Sequence, residues 1–229
     1  MTRVAAVLAL AIALAGCGGK TQSAGGDTTT AEVATTTAPQ TTTAAPVGCR
    51  SVAAPQAKAD GGQRAPKAPL DPAKTYTVTI ETNCGSFTIK LDQKQSPDAT
   101  AAFVSLAKSG FFDRTTFHRI VPGFVIQGGD PTGTGTGGPG FSTLDPPPSA
   151  AHYTRGVVAM AKTGAEPPGT AGSQFFVVTA DDAGLPPDYA VIGTVTKGLR
   201  VVMRIGALGN AQEQPTQPVV IARTIVAEA

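Results

Sequence analysis

Few residues in this sequence could do acid–base, nucleophilic or metal chemistry, and most of those lack the neighbours such chemistry needs. There are 2 His, His118 and His152. No acidic cluster accompanies them, so a metal site lacks ligands and His118 reads as structural. Ser173 with His118 would begin a hydrolase, but no Gly-x-Ser-x-Gly elbow is present to expose the nucleophile. Gly133-Thr134-Gly135-Thr136-Gly137-Gly138 has the glycine spacing of a dinucleotide loop. Pro139 and Gly140 follow where a helix would have to start, so no helix N-terminus is there to hold a pyrophosphate. That leaves Arg119. A lone arginine is by default a surface ion-pairing residue, but its charge is permanent and its donors form a rigid fork. Its chemistry is therefore electrostatic: it can stabilise a lone pair or charge that develops only as a reaction proceeds.

The elements around Arg119 read as short strands. Hydrophobic residues make up 41% and charged residues 15%, with a formal net charge of +2. So weak a field argues against a nucleic-acid partner. Tyr76, Val78 and Ile80 alternate with threonines, and Phe87, Ile89 and Leu91 alternate again across the turn Asn83-Cys84-Gly85-Ser86, which predicts a hairpin. Ser96-Pro97-Asp98 starts a helix: a capping hydroxyl, proline at the first helical position and an acid in the first turn. Ala99, Ala102, Phe103, Leu106 and Ala107 make its apolar stripe, and Gly110 fits just past its end. Short apolar runs at 156–161, 175–179 and 190–195, a second short helix over 199–205 and a closing strand over 219–226 complete the pattern. Many strands, two helices and many glycine turns point to a β-barrel with capping helices.

From Phe117 the order is Phe117-His118-Arg119-Ile120-Val121-Pro122-Gly123-Phe124-Val125-Ile126-Gln127-Gly128-Gly129-Asp130. A second block, Gly172-Ser173-Gln174-Phe175-Phe176, and the intervening Gly156-Val157-Val158-Ala159-Met160-Ala161 follow in order. These stretches resemble the signatures of the cyclophilin family of peptidyl-prolyl cis-trans isomerases, and the resemblance covers about Thr75 to Ala227. It implies a mainly β fold, a closed eight-stranded antiparallel barrel capped by two helices, and an enzyme that uses no metal, nucleotide or covalent intermediate.

The resemblance also implies site residues. Arg119 would carry catalysis, with Gln127 holding its guanidinium. Phe124, Val125, Phe176 and Leu185 would line an apolar slot for the proline ring, although each could instead be barrel core. Gln174 would contact the substrate backbone. Tyr189 stands where many relatives carry His, and Lys162-Thr163 replaces a small pair, so altered subsite preference is expected there. The implied partners are proline-containing unfolded or flexible polypeptides, met by a monomer. The alternative is a proline-peptide binding module or holdase that keeps the fold without turnover; retention of Arg119, Phe124, Gln127 and Phe176 favours the enzyme.

The N-terminal part has a different character. Met1-Thr2-Arg3 is followed by an apolar run to Leu14, and Leu14-Ala15-Gly16-Cys17 resembles a bacterial lipobox. A lipoprotein signal peptide is therefore expected over 1–16, with Cys17 lipidated and the chain exported and anchored outside the cytoplasm. Residues 17–69 are rich in Thr, Ala and Pro and lack apolar periodicity, which reads as a flexible tether. The globular domain is expected over 70–229. Setting Cys17 aside leaves Cys49 and Cys84, an even pair in an oxidising compartment, for which a disulfide is expected and two free thiols are the other reading.

Overall fold

The computed structural model describes residues 48–229; the expected signal peptide, the lipidation site Cys17 and the first part of the expected tether lie outside them. The hairpin forms as the alternation predicts. β1 (Tyr76–Thr82) pairs with β2 (Gly85–Leu91), turning at Asn83-Cys84, and Val78, Ile80, Phe87 and Ile89 all point inward. β3 (Thr115–Thr116), β4 (Arg119–Val121), β5 (Val125–Gly128), β7 (Val157–Met160), β9 (Phe175–Val178), β10 (Val191–Lys197) and β11 (Val220–Glu228) join them in one antiparallel sheet of 9 strands, ordered β3-β11-β1-β2-β10-β7-β9-β5-β4. β6 (Thr143–Leu144) and β8 (Thr170–Ala171) form a separate 2-stranded pair.

The sheet curls because its two ends are consecutive in the chain. β3 and β4 are separated only by Phe117 and His118, and β3 pairs with β11 while β4 pairs with β5. One bent stretch thus supplies both edges. The ladder is not continuous through the bend, since a strand cannot pair with its own continuation. The expected closed eight-stranded antiparallel barrel appears here as a curled antiparallel sheet of 9 strands. The mainly β architecture with two helices stands as expected.

α1 (Pro97–Lys108) buries Ala99, Phe103, Leu106 and Ala107 in the main core inside the curl. Its capping differs from the sequence reading. The Ser96 hydroxyl makes no cap bond and has no hydrogen-bond partner. The cap comes from Asp145, whose carboxylate accepts the backbone N–H of Ala99 at 2.6 Å and of Asp98 at 3.4 Å. A full negative charge at a helix N-terminus suits the dipole better than a hydroxyl. α2 (Leu199–Gly206) covers the other end with Val202 and Ile205.

Residues 48–69, expected to be the end of the tether, lie against the domain from Cys49 onward. Cys49 is disulfide-bonded to Cys84 in the hairpin turn. Arg50 N–H donates to the Asn83 carbonyl at 2.9 Å, and the Asn83 side-chain amide returns a bond to the Arg50 carbonyl at 2.7 Å. Lys58 Nζ donates to the carbonyls of Gly110, Phe111 and Asp113 at 3.2, 2.6 and 3.2 Å, placing a cation at the C-terminal end of α1. Further on, Gly61 and Gln63 N–H groups donate to the carbonyls of Gly138 and Pro139, each at 2.9 Å. These contacts use main chain, one ammonium and one disulfide rather than an apolar face, so composition carries no trace of them. The domain's contacts begin at Cys49 rather than at Leu70.

Candidate active site

Register places the expected catalytic residues in one row. Arg119 on β4 faces Gln127 on β5, Gln127 faces Phe176 on β9, and Phe176 faces Ala159 on β7. Residues directly opposite across a ladder share a face, so these four side chains lie side by side on the outside of the curl. Their chain neighbours Ile120, Ile126, Phe175 and Val158 point the other way into the main core. The outer face carries its own smaller apolar cluster, Val125, Tyr153, Ala159, Phe176, Val178 and Val191. Strand β9 is buried on both faces and therefore reads as an unbroken apolar run.

Over that outer cluster opens a pocket of about 190 Å³ lined by Arg119, Phe124, Val125, Gln127, Ala161, Lys162, Phe176, Leu185 and Tyr189. It is smaller than a drug-sized site, which runs to about 300 Å³ or more, and suits a single side chain or ring. Phe124, Val125, Ala161, Phe176, Leu185 and the Tyr189 ring make its apolar walls, and Arg119, Gln127 and Lys162 are its polar members. Tyr189 stands edge-on to Phe176, ring centroids 5.4 Å apart. The buried Tyr153 locks it from behind: the Tyr153 hydroxyl donates to the Tyr189 carbonyl at 2.8 Å and accepts the Tyr189 N–H at 2.9 Å. Lys162 has only 4% of its side chain exposed; its ammonium lies 5.5 Å from the Tyr189 ring centroid and donates to the Thr163 and Glu166 carbonyls.

Arg119 is held at two points. Nη1 donates to Gln127 Oε1 at 3.2 Å, and Nε donates to Glu213 Oε2 at 2.7 Å. Nη2 has no protein acceptor among the described residues, and the side chain keeps 37% of its exposure. The amide chain continues: Gln127 Nε2 donates to Gln174 Oε1 at 3.0 Å, and Gln174 Nε2 donates to the Gly135 and Gly137 carbonyls, each at 2.9 Å. The glycine loop is therefore wired to the arginine through two side-chain amides. Inside the loop, buried Asp130 accepts N–H bonds from Thr132 and Gly135. Burial works against its charge, but bonds from Thr132, Gly135 and Gly137 outweigh it and hold the carboxyl below its usual range. A Cβ at Gly137 would collide with the Asp130 carboxylate, so that position has room only for glycine.

Arg119, Gln127, Phe124, Val125, Lys162, Phe176, Leu185 and Tyr189 thus line one pocket, and Val125 and Phe176 are at the same time buried members of the outer apolar cluster. Thr163 and Gln174 line an adjoining pocket of about 460 Å³ with the glycine loop, Glu166 and Asp60. Gln174, expected to meet a substrate backbone, has both amide hydrogens on the loop. The Ser173 hydroxyl is spent on the Gly129 carbonyl at 2.7 Å, which removes it as a nucleophile. Among the described residues no group of His, Cys, Asp and Glu is placed to hold a metal ion. Sequence reasoning missed Tyr153, Asp60 and Glu213. None lies in a motif, and Glu213 is 94 residues from Arg119. An ion pair as exposed as Arg119–Glu213 adds about 0–1 kcal/mol to stability, while the left-handed φ of 62° at Glu213 costs about 1–3 kcal/mol in a non-glycine residue.

The family model described as cyclophilin type peptidyl-prolyl cis-trans isomerase/CLD matches residues 77–226. A peptidyl-prolyl cis-trans isomerase-like 1 from Aspergillus fumigatus is 38% identical over 156 residues, covering 66% of this chain and 95% of that protein. A peptidyl-prolyl cis-trans isomerase from Helicobacter pylori is 40% identical over 153 residues, 59% of this chain and 90% of that one. The crystal structure of a cyclophilin type isomerase from Cryptosporidium parvum superposes with a TM-score of 0.62 at 32% identity, covering 67% of this chain and 98% of the other. A second structure, described as in the presence of the dipeptide Ala-Pro, gives 0.61.

Proposed function

This chain belongs to the cyclophilin-type peptidyl-prolyl cis-trans isomerase family and is an enzyme of that class, and we propose that it turns X–Pro bonds in unfolded or flexible segments of exported proteins, with Arg119 stabilising the twisted amide. The barrier to amide rotation is about 18–20 kcal/mol, and it is set by resonance between nitrogen and carbonyl. At the top of the barrier the nitrogen is pyramidal and carries a localised lone pair. No bond need break and no proton need leave.

The slot of Phe124, Val125, Phe176, Leu185 and Tyr189 would hold the pyrrolidine ring still, so that rotation occurs on the acyl side. Arg119 at the rim would then donate Nη2 to the prolyl nitrogen or the adjacent carbonyl, an interaction stronger in the twisted amide than in either planar isomer. The single observation that carries this reading is a guanidinium anchored at Nε and Nη1, with Nη2 unspent beside an apolar slot. Lys162, Thr163 and Gln174 would shape the subsite for residues on the acyl side of proline.

For place, the lipobox at Cys17 and the disulfide between Cys49 and Cys84 both support an extracytoplasmic domain tethered to a membrane by acyl chains. Cys17→Ala should then release the chain from the membrane fraction. The activity itself is tested by a protease-coupled assay of a short X–Pro peptide with the purified chain. Acceleration that saturates with peptide supports the enzyme; saturable peptide binding at the uncatalysed rate would replace it with a proline-peptide binding module.

A further inference from the structure

We infer that Glu213 is a positioning residue for Arg119, fixing the plane of the guanidinium so that Nη2 is aimed at the prolyl amide. The inference rests on the catalytic role proposed for Arg119 and adds the residue that makes the arginine a directed donor.

Glu213 grips β4 twice. Its carbonyl accepts the N–H of Ile120 at 2.8 Å, and its carboxylate accepts Nε–H of the preceding residue, Arg119, at 2.7 Å. The guanidinium is planar and rigid. With Nε held on one edge and Nη1 held by Gln127 at 3.2 Å, rotation about the last side-chain torsions would break one bond or the other. Gln127 alone would leave the plane free to swing about a single contact.

The loop carrying Glu213 is built to present it. The Asn210 side-chain oxygen accepts N–H bonds from Gln212 and Gln214 at 2.9 and 3.0 Å. The main chain closes the same turn, Glu213 N–H donating to the Asn210 carbonyl and Asn210 N–H to the Gln214 carbonyl. The turn forces φ of 62° on Glu213, and among the described residues only Arg114 shares a positive φ without being glycine. A glycine would occupy the position with less strain. The exposed ion pair does not repay the strain in stability, so its effect is on the orientation of Arg119.

A negative carboxylate beside the catalytic cation would weaken a site that must bind an anion. The twisted amide is neutral, with its new lone pair on one atom, so the direction of the donor matters more than the net charge.

The test uses Glu213→Gly, Glu213→Ala and Glu213→Gln in the full chain, with Arg119→Ala as reference. Glu213→Gly is expected to leave the melting temperature unchanged or raise it while lowering kcat about tenfold with little change in KM. Glu213→Ala should lower kcat equally, and Glu213→Gln, which keeps an acceptor for Nε, should recover most of it. In the Arg119→Ala background Glu213→Gly should change nothing further. A Glu213→Gly enzyme with wild-type kcat, or one whose loss persists undiminished without Arg119, overturns the inference while leaving Arg119 as the catalytic donor. Wild-type turnover by Arg119→Ala overturns the underlying reading and this inference with it.

Discussion

Phe175 and Phe176 are adjacent on β9 and nearly equally hidden, at 0% and 4% exposure, yet they belong to different parts of the molecule. Phe175 points into the curl, edge-on to Phe103, Phe112 and Phe117 at centroid distances of 5.3, 5.8 and 5.9 Å. Phe176 points outward, beside the buried Tyr153 and edge-on to Tyr189, with which it lines the open slot. The inner face is closed by protein on every side; the outer face is one wall short, and a substrate ring would complete it. Burial alone does not separate a core residue from a binding residue. Strand register does.

The largest effect expected from this contrast is on stability. Phe175→Ala should cost about 3–5 kcal/mol, because the cavity it leaves lies among large rings that cannot collapse into it. Phe176→Ala should cost less than half as much, since its cavity opens to solvent. Equal losses in chemical denaturation would break the distinction between the faces.

Next comes the Cys49–Cys84 disulfide, which lies at the inner cluster, Cys84 buried within it and Cys49 packed against it. It closes a separation of 35 residues, and replacing both cysteines with serine should cost about 3–4 kcal/mol in the chain-entropy model. Activity per folded molecule should not change. A fall in kcat/KM at full folding would show that the N-terminal stretch reaches the site, where Asp60 borders the larger pocket.

Smaller in free energy is the effect of Phe176→Ala on catalysis. Losing one wall of the slot should lower kcat/KM about ten- to a hundredfold, seen in the peptide assay at temperatures where the variant is fully folded. An unchanged kcat/KM would mean the ring does not enter this slot.

The smallest effect concerns His118, in the bend between β3 and β4. Neither ring nitrogen makes a hydrogen bond of good geometry, although the Thr116 main chain and the Gln174 side chain lie close enough to favour its charged form. Burial lowers its pKa, Arg119 lowers it further, and Asp130 pulls the other way. The unfolded chain therefore takes up a proton near pH 6.5 that the folded one refuses. The contribution is fully present above that pH and is lost as pH falls below it toward the folded value, at no more than about 1.4 kcal/mol per pH unit. His118→Gln should flatten stability between neutral and mildly acid pH. An unaltered slope would put the charged form in the fold.

Part of the outer face was legible in the sequence because Arg119, Phe124, Val125, Gln127 and Phe176 come in two unbroken stretches, 117–130 and 172–176, that pair with each other; Lys162, Leu185 and Tyr189 lie outside both. Long helices and seven-residue strands were legible too, since they span enough turns or alternations to show a period. The strands of two or three residues, β3, β4, β6 and β8, are too short to show one. Asp145 caps α1 from 46 residues away, so the serine beside the proline drew the assignment instead. Glu213 is an exposed acid in a polar loop, and only the fold brings it to Arg119. Lys58 and the bonds around Gly61 are hidden for a different reason: hydrogen bonds to carbonyls leave no mark on the composition of a threonine- and alanine-rich stretch.

The most direct test of the account is Arg119→Ala, measured for kcat/KM on an X–Pro peptide and for melting temperature in the same preparation. The account predicts a loss of about a hundredfold or more in kcat/KM, carried mainly by kcat, with a melting temperature close to wild type because the exposed pair with Glu213 holds little stability. A variant that turns over at the wild-type rate, or one that loses activity only in proportion to its unfolding, would contradict it.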